Sequence, residues 1–395
     1  MRFNQSQNMH LLCFDPLYYP KENGAMRRIR YGGGEEKLKM ESGVMYNEDG
    51  SATLTLIQPQ ATRVEVRYRR HNYKLARPEF RHDPQFYAKD YVMEPMTKID
   101  DKTWQITIHP GPGYHSIYFY VDGVKTINTQ GPYGYDSDDI RNFIDIPDDP
   151  DTQLQNVPHG AISREIYWSA TTGRYRACWV YTPASYASGS RSYPVLYLQH
   201  GGGQDEVCWF QSGKLDLMLD NLIARGEAEE MIVVCNNGYV LKEIEPGWFV
   251  EGRLDEVMIH DCLPHIEKRY RTLTDRHHRA VAGLSMGGGH ARRIGLGHPD
   301  LFASVGMFSS GECFPIQTED MDFSALFSDP QRFNEQMDVV LVTCGESDPR
   351  YDKTCADLQP LLDRGFHIEF RGYQGQHEWN VWRASAKDFV RKLFR

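Results

Sequence analysis

Residues 281–290 read VAGLSMGGGH and place one serine, Ser285, between Gly283 and Gly287, directly after a short apolar run. Gly-x-Ser-x-Gly is typical of a sharp turn from a buried strand into a helix, where the corner residue takes strained backbone angles and the residues two positions away must lack bulk. In such a turn the serine oxygen is exposed at the tip. The pattern is short enough to arise by chance, so its meaning depends on the residues that follow the other strands.

The length and charge of the chain limit the classes it can belong to. At 395 residues it is long for one domain and suits two. It has 44 basic and 54 acidic residues, a formal net charge of −10, and no stretch dense in Lys or Arg. An acidic chain of this kind is a poor candidate for binding nucleic acid or an anionic membrane surface, so we expect neither partner.

The eight cysteines are scattered, without a Cys-x-x-Cys pair and without a histidine cluster at metal-ligand spacing. We therefore expect free thiols in a reducing compartment, no metal and no cofactor. The apolar core of the first 20 residues is too short for a secretion signal, and no apolar run approaches membrane-spanning length. This predicts a cytoplasmic protein, or a secreted one if a signal was removed.

In residues 1–155 the apolar segments are short and alternate with polar residues. They are ATLTLIQ (52–58), TRVEVRY (62–68), TWQITI (103–108) and HSIYFYV (115–121). Period-two patterning between turn signals predicts an antiparallel sandwich. We interpret the polar, proline-bearing stretch 145–160 as a linker.

In residues 156–395 continuous apolar runs alternate with helical stretches. The runs are PVLYLQ (194–199), MIVVC (231–235), AVAGL (280–284), ASVGMF (303–308), VVLVT (339–343) and HIEF (367–370). This alternation predicts a mainly parallel sheet with helices on both faces. Two runs just after the linker, REIYWSA and RACWVYTP, predict an antiparallel hairpin at the edge of that sheet.

A serine nucleophile needs a base, an acid that orients the base, and donors for the oxyanion. The candidate base is His377, because it alone among 15 histidines lies after the last predicted strand and before the final helix. The candidate acid follows the preceding strand, where Glu346 and Asp348 both occur. We favour Asp348 because it lies farther from the strand end, with room to reach His377. Glu346 is the alternative, and either residue could instead cap the next helix.

The oxyanion donors are expected from two places. One is the backbone amide of Met286, the residue after the serine. The other is the loop after the PVLYLQ strand, His200-Gly201-Gly202-Gly203, from which we assign the amides of Gly202 and Gly203. Three glycines could form only a flexible turn, but these directly follow a buried strand. The order serine, acid, histidine is that of the α/β-hydrolases.

Three separated stretches, HGGGQDE, IEKRYRTLTDRHHRAVAGLSMGGGHA and GQHEWNVWR, occur in order and resemble the esterase-D-like branch of the α/β-hydrolases. The resemblance covers about residues 160–395 and is closest to carbohydrate esterase family one, which includes feruloyl, acetylxylan and enterochelin esterases. It implies Ser285 as nucleophile, Asp348 as acid and His377 as base. Residues 93–124 are similar to the immunoglobulin-like sandwich of glycogen-binding modules.

The architecture that the resemblance implies is an α/β hydrolase in residues 156–395, preceded by a small all-β immunoglobulin-like sandwich in residues 1–155. The activity it implies is that of a serine esterase on hydroxycinnamoyl esters of plant cell-wall saccharides, with a small-molecule or oligosaccharide ester as partner. Acetylxylan, a siderophore trilactone or a small cytosolic ester are alternative substrates. Outside enzymes, the alternative is a carbohydrate-binding protein with an inactive hydrolase domain, and a homo-oligomer also stays open.

Several large aromatic residues lie near these motifs. Side chains that could form walls for a planar acyl group are Trp209, Phe210, Trp248, Trp379 and Trp382, although each is of a type found more often in a core. A second group lies in the insertion RRHNYKLARPEFRHDPQFYAKDYV (69–92), which has five large aromatic residues from Tyr73 to Tyr91. Exposed patches of that kind usually meet a partner surface, so we hypothesise a flap over the esterase mouth. A surface loop without a role, or a core role within the sandwich, is the alternative.

Overall fold

The computed structural model describes residues 43–69, 91–136, 139–245, 248–310 and 322–395. The chain divides into two compact units, residues 1–150 and 151–395. The aromatic insertion falls almost wholly outside the described residues, which include only Arg69, Tyr91 and Val92 of it. The flap hypothesis therefore stays a prediction.

The described part of the first unit consists of antiparallel strands. They are β1 (Val44–Tyr46), β2 (Ala52–Ile57), β3 (Val64–Arg69), β4 (Tyr91–Pro95), β5 (Thr97–Lys98), β6 (Thr103–Ile108), β7 (Gly113–Val121), β8 (Val124–Thr126), β9 (Tyr133–Asp136) and β10 (Asp139–Ile146). One sheet has the order β1-β2-β6-β5, and a second has the order β4-β3-β7-β10-β9, with β8 paired to β7. The four predicted runs are β2, β3, β6 and β7. The sequence does not predict the remaining strands, most of which are short.

Buried and half-buried residues alternate along the strands, so one face of each strand lies in a shared core. On β3, Val64, Val66 and Tyr68 are buried, and the residues between them are half-buried on the opposite face. Buried side chains of both sheets, among them Leu54 of β2 and Phe119 of β7, belong to one hydrophobic cluster. In the described part of the first unit, two antiparallel sheets therefore share a single core.

The second unit is built on a mostly parallel sheet. Its strands are β11 (Ala161–Ser169), β12 (Arg174–Thr182), β13 (Val195–Gln199), β14 (Ile232–Asn236), β17 (Arg279–Leu284), β18 (Ser304–Phe308), β19 (Val339–Gly345) and β20 (Glu369–Tyr373). Over the described ranges the order is β11-β12-β14-β13-β17-β18-β19-β20, and pairing is parallel from β14 to β20. Every residue of β13, β14, β17 and β18 is buried, as expected for central strands covered on both faces.

Helical segments connect these strands. They are α1 (Cys208–Gln211), α2 (Leu215–Ala224), α3 (Leu254–Val257), α4 (Leu263–Arg269), α5 (Met286–Ala291), α6 (Pro330–Gln336), α7 (Tyr351–Asp363) and α8 (Trp379–Val390), with π-helical turns at Met258–Cys262 and Arg292–Leu296. One hydrophobic core joins strand residues such as Tyr197 and Val281 to helix residues such as Ile266 and Leu358. Because parallel strands end at the same edge of a sheet, the loops after β13, β14, β17, β19 and β20 meet there.

The stretch 145–160 is not the plain linker that its composition indicates. β10 continues to Ile146. Asp151 is 4% exposed and forms ion pairs of 2.5 Å with Arg225 and with Lys387. Burial acts to raise the pKa of Asp151, but hydrogen bonds from Lys387 and Arg225 hold that pKa below its ordinary value. Arg225 lies 74 residues further along the chain, so local composition cannot reveal this pairing.

Two other predictions for the sheet differ in their outcome. The antiparallel hairpin after the linker is confirmed, because β11 pairs with β12 at the edge of the sheet. The last strand begins two residues later than predicted, at Glu369, and the residues just before it include Phe366 and Ile368, which are buried at 3% and 6% exposure. The sequence also misses a hairpin after β14, formed by β15 (Leu241–Glu245) and β16 (Trp248–Glu251).

Candidate active site

Ser285 lies at the corner between β17 and α5. Its backbone angles are φ 52° and ψ −118°, in a region that non-glycine residues rarely adopt. The Ser285 N–H donates to the Phe308 carbonyl at 2.7 Å, and the Ser285 carbonyl accepts the Gly288 N–H at 3.0 Å. These bonds to the neighbouring strand and to the helix hold the strained corner in place.

The glycines two positions on either side of Ser285 are required by close backbone contacts. A Cβ atom on Gly283 would lie 2.3 Å from the Gly287 carbonyl oxygen, and one on Gly287 would lie 2.5 Å from the His200 carbonyl oxygen. Both distances are too short for a carbon atom, so strand and helix can approach this closely only with glycine at these positions. Gly289, in the same helix, has no neighbouring atom within 4 Å of the corresponding Cβ position.

Alanine at Gly287 and at Gly289 should therefore have different effects on stability. Gly287→Ala forces the backbone to shift and should lower the free energy of unfolding by about 3 kcal/mol or more. Gly289→Ala should leave it unchanged or raise it by up to about 1 kcal/mol. Denaturation followed by tryptophan fluorescence reports mainly on the second unit, because six of the seven tryptophans follow residue 150. Equal stability of the two variants would contradict the close contact at Gly287.

Ser285, His377 and Asp348 form one hydrogen-bonded relay. His377 lies in the loop between β20 and α8, and Asp348 lies in the loop between β19 and α7. His377 Nε2 is 2.9 Å from Ser285 Oγ, and His377 Nδ1 is 2.7 Å from Asp348 Oδ2. With Asp348 ionised, Nδ1 carries the proton and Nε2 can accept the hydrogen of the serine hydroxyl. This arrangement can activate a hydroxyl nucleophile.

Asp348 is fully buried, and donors bind both of its oxygens. Oδ2 faces His377, and Oδ1 accepts the Arg350 backbone N–H at 3.0 Å and the Arg350 guanidinium at 3.1 Å. Burial acts to raise the pKa of Asp348, but the His377 hydrogen bond and the neighbouring positive charge hold that pKa below its ordinary value. Asp348 is therefore ionised at neutral pH.

The alternative acid, Glu346, is placed differently. It is exposed at the surface, and its backbone N–H donates to the Tyr373 carbonyl at 2.8 Å. Of the two carboxylates that the sequence leaves open, the structure brings Asp348 to His377.

The glycine loop after β13 stands beside Ser285. A Cβ atom on Gly201 would lie 3.4 Å from Ser285 Cβ. The Gln204 N–H donates to the Gly201 carbonyl at 3.3 Å, and Gly203 has a φ of +75°. These features match a type II turn, which needs glycine at its third position. Gly202 is exposed at the second position, with no neighbouring atom within 4 Å of its Cβ position.

The expectation for Gly203 needs a correction. Its N–H donates to the hydroxyl of Tyr239, so this amide is already paired. The amides of Met286, at the start of α5, and of Gly202, at the exposed corner of the turn, are left as the candidate oxyanion donors. Sequence reasoning missed Tyr239, although CNNGYV (235–240) follows a buried strand at the same edge of the sheet, which was the available signal.

His200, which sequence reasoning also missed, ties the glycine loop to the loop after β14. It is 1% exposed. Its Nδ1–H donates to the Gly201 carbonyl at 2.8 Å, and its Nε2 accepts the Gly238 N–H at 2.8 Å. A ring nitrogen that accepts is unprotonated, so His200 is neutral, and burial accordingly lowers its pKa. His200 is therefore a structural bridge between the two loops.

Most of the aromatic residues expected to line a pocket lie in the interior instead. The buried set is Trp209, Phe210, Trp379 and Trp382, each between 1% and 6% exposed. Trp379 meets Trp209 and Trp382 edge to face, with ring centroids 5.4 and 5.2 Å apart. Trp382 meets the His377 ring in the same way at 5.1 Å. The structure thus corrects the pocket-wall expectation, because these four side chains are buried and Trp382 packs against the His377 ring. Trp248 lies on β16, and its side chain is outside the described residues.

The described residues contain no group of three or more His, Cys, Asp or Glu side chains that could hold a metal ion. In the same part of the chain, six cysteines are free thiols and five of these are buried. None of the helices that the structure describes is long and apolar enough to cross a membrane.

Residues 169–393 match the family model described as putative esterase. This region is more than half of the chain. The endo-1,4-beta-xylanase/feruloyl esterase of Xylanibacter ruminicola is 31% identical over 295 residues, which cover 72% of this chain and 39% of that protein. The chain therefore spans well under half of the length of that relative.

Solved structures show the same likeness. A ferulic acid esterase is 28% identical, with a TM-score of 0.50, over 60% of this chain and 98% of that chain. The enterobactin esterase of Shigella flexneri, solved in the presence of enterobactin, is 16% identical, with a TM-score of 0.57, over 86% of this chain and 92% of that chain. At 16% identity, the likeness to the enterobactin esterase concerns the fold alone. It covers more residues than the second unit contains.

Proposed function

We propose that this chain, which belongs to the putative esterase family, is a serine esterase in which Ser285, His377 and Asp348 hydrolyse a carboxylic ester. Family membership makes residues 169–393 a carboxylic ester hydrolase domain. The main support for the proposal is the hydrogen-bonded relay. Ser285 Oγ lies 2.9 Å from His377 Nε2, and His377 Nδ1 lies 2.7 Å from Asp348 Oδ2. Both distances lie in the range that proton transfer requires.

In the first half of the reaction, the Ser285 hydroxyl gives its proton to His377 Nε2 as Oγ attacks the ester carbonyl carbon. The carbonyl oxygen becomes an oxyanion, which the amides of Met286 and Gly202 stabilise. Asp348 holds the imidazole in the productive tautomer and stabilises its positive charge. The proton on Nε2 then passes to the leaving alkoxide as the carbon–oxygen bond breaks, and an acyl-enzyme remains on Ser285.

In the second half, a water molecule gives a proton to His377 Nε2 and attacks the acyl carbon. The resulting tetrahedral intermediate collapses as Nε2 returns the proton to Ser285 Oγ. The carboxylic acid is released and the enzyme is restored. Each step uses side chains, backbone amides and water.

For the substrate we propose hydroxycinnamoyl esters of plant cell-wall saccharides, either small molecules or oligosaccharides. The support is the 31% identity to a protein named endo-1,4-beta-xylanase/feruloyl esterase and the 28% identity to a ferulic acid esterase. The net charge of −10 disfavours a nucleic acid or an anionic membrane as partner.

A siderophore ester is the second candidate substrate. The observation that favours it is the likeness to the enterobactin esterase, which covers more of this chain, 86%, than the likeness to the ferulic acid esterase does. That likeness is of fold alone, so it ranks behind the two relatives of higher identity. A carbohydrate-binding protein with an inactive hydrolase domain ranks last, because a formed serine relay serves no purpose in such a protein.

We further propose that the first unit is an immunoglobulin-like module that precedes the esterase domain. The sequence predicts the module in residues 1–155 and the esterase domain in residues 156–395, a boundary five residues after the division between the two compact units. Two antiparallel layers that share one core support this assignment. The fold likeness to the enterobactin esterase, which reaches beyond the second unit, is consistent with it.

A substrate panel tests the proposed function. The purified chain should hydrolyse methyl ferulate with a kcat/KM at least about tenfold above its values for acetylated xylan and for enterobactin, because an esterase that prefers hydroxycinnamoyl groups discriminates by differential transition-state binding. A higher kcat/KM for enterobactin would replace the feruloyl assignment with the siderophore one. No turnover of any of the three, nor of p-nitrophenyl acetate, by the folded chain would remove the esterase assignment altogether.

A further inference from the structure

Tyr239 pairs with the central amide of the glycine turn beside Ser285. The turn runs from Gly201 to Gln204, and its own hydrogen bond joins the first carbonyl to the last N–H. The Gly203 N–H lies in the central peptide unit and is not used within the turn. It donates to the Tyr239 hydroxyl. A side chain from the loop after β14 therefore meets the backbone where an oxyanion donor was expected.

The position of Tyr239 is held by a buried charge. Arg176 is 8% exposed and donates from Nη1 to the Tyr239 carbonyl at 3.1 Å and from Nη2 to the Asn237 carbonyl at 2.5 Å. The Tyr239 N–H donates to Asn237 Oδ1 at 3.0 Å, and Asn237 Nδ2 donates to Glu206 Oε2 at 2.7 Å. A buried guanidinium is costly unless it is hydrogen-bonded, so these bonds strongly favour one conformation of the loop.

The phenolic hydrogen of Tyr239 is not used in its bond with the turn. The phenol oxygen accepts the Gly203 N–H, so its own hydrogen needs another acceptor, and no residue within the described ranges accepts it. Tyr239 is 42% exposed, so a bound molecule can reach this group. A hydroxyl that accepts one hydrogen bond becomes a stronger donor. The Gly203 amide therefore polarises an O–H group next to the loop that flanks Ser285.

We propose that Tyr239 donates this hydrogen to the carbonyl oxygen of the bound ester and completes an oxyanion site with the amides of Met286 and Gly202. The inference rests on the proposed serine mechanism. Gly203 then acts through the tyrosine and not directly on the substrate. The bond from Tyr239 strengthens as the oxygen gains charge in the tetrahedral intermediate, so it lowers the barrier more than it tightens substrate binding.

Tyr239→Phe tests this role on methyl ferulate and on p-nitrophenyl acetate. Removing one oxyanion donor should lower kcat by about 100-fold and leave KM within about twofold. Tyr175→Phe is the matched control, because Tyr175 is 73% exposed on the β11–β12 hairpin, and it should leave both constants unchanged. An unchanged kcat in Tyr239→Phe overturns the inference. A raised kcat also overturns it, since it would mean that the hydroxyl blocks the Gly203 amide.

A transition-state analogue separates an oxyanion donor from a merely structural tyrosine. A trifluoromethyl ketone adds to Ser285 as a hemiketal anion, and its affinity should fall in Tyr239→Phe by the same factor as kcat/KM. Binding of ferulate, the product, should not change. Equal loss for both ligands would mean that Tyr239 only supports the loop. If wild type hydrolyses no ester, the proposed function fails; if wild type is active and Tyr239→Phe matches it, this inference alone fails.

Discussion

Ser285→Ala is expected to lower kcat for methyl ferulate by about five orders of magnitude or more while the fold is kept. Without Oγ no acyl-enzyme can form, and only the oxyanion donors and bound water remain to promote the reaction. The Oγ atom has a single hydrogen bond among the described residues, to His377, so its removal should leave the unfolding midpoint almost unchanged.

Two controls identify the loss as chemical. His377→Ala should lose activity to a similar extent, and the double variant should be no worse than either single one, because residues that act as a unit are not additive. A serine-directed phosphonate should label Ser285 in the wild type and should not label Ser285→Ala. An alanine variant that retains more than about a tenth of wild-type turnover would rule out the serine mechanism.

The strands around Ser285 could be predicted because burial on both faces leaves an unbroken apolar run. MIVVC and AVAGL are such runs, and they form most of β14 and β17. The position of the candidate site then follows from topology, since the loops at the carboxyl ends of parallel strands meet at one edge. His377 could be selected among 15 histidines for that reason. Its contact with Ser285 at 2.9 Å lies at that edge.

Features that depend on loop conformation could not be predicted in the same way. Glu346 and Asp348 are chemically alike and two positions apart, and the turn alone decides which of them points inward. Gly203 and Tyr239 are 36 positions apart, and their bond requires the exact course of two loops, which no local pattern encodes. A hydrophobic ring such as Trp379 is equally suited to a core and to a pocket wall, and only the packing of α8 decides between them.

Asp348→Asn is expected to lower kcat by about 10⁴-fold. Two donors of Arg350, the backbone N–H at 3.0 Å and the guanidinium at 3.1 Å, bind Oδ1 of Asp348. In the variant these donors hold the amide oxygen, so the amide NH₂ group is turned toward His377 Nδ1. Nδ1 must then accept, the imidazole proton moves to Nε2, and Nε2 can no longer take the proton of Ser285. The measurement is kcat/KM for methyl ferulate in both proteins.

Glu346→Gln is the matched control for Asp348→Asn, because it makes the same chemical change two positions away on an exposed side chain. Its kcat should stay within about twofold of wild type. The tautomer itself can be observed, since the ¹⁵N chemical shifts of His377 distinguish a proton on Nδ1 from one on Nε2. A loss of activity in Asp348→Asn with the wild-type tautomer would mean that the negative charge, and not imidazole orientation, is what Asp348 supplies. A larger loss in Glu346→Gln than in Asp348→Asn would transfer the role of the acid to Glu346.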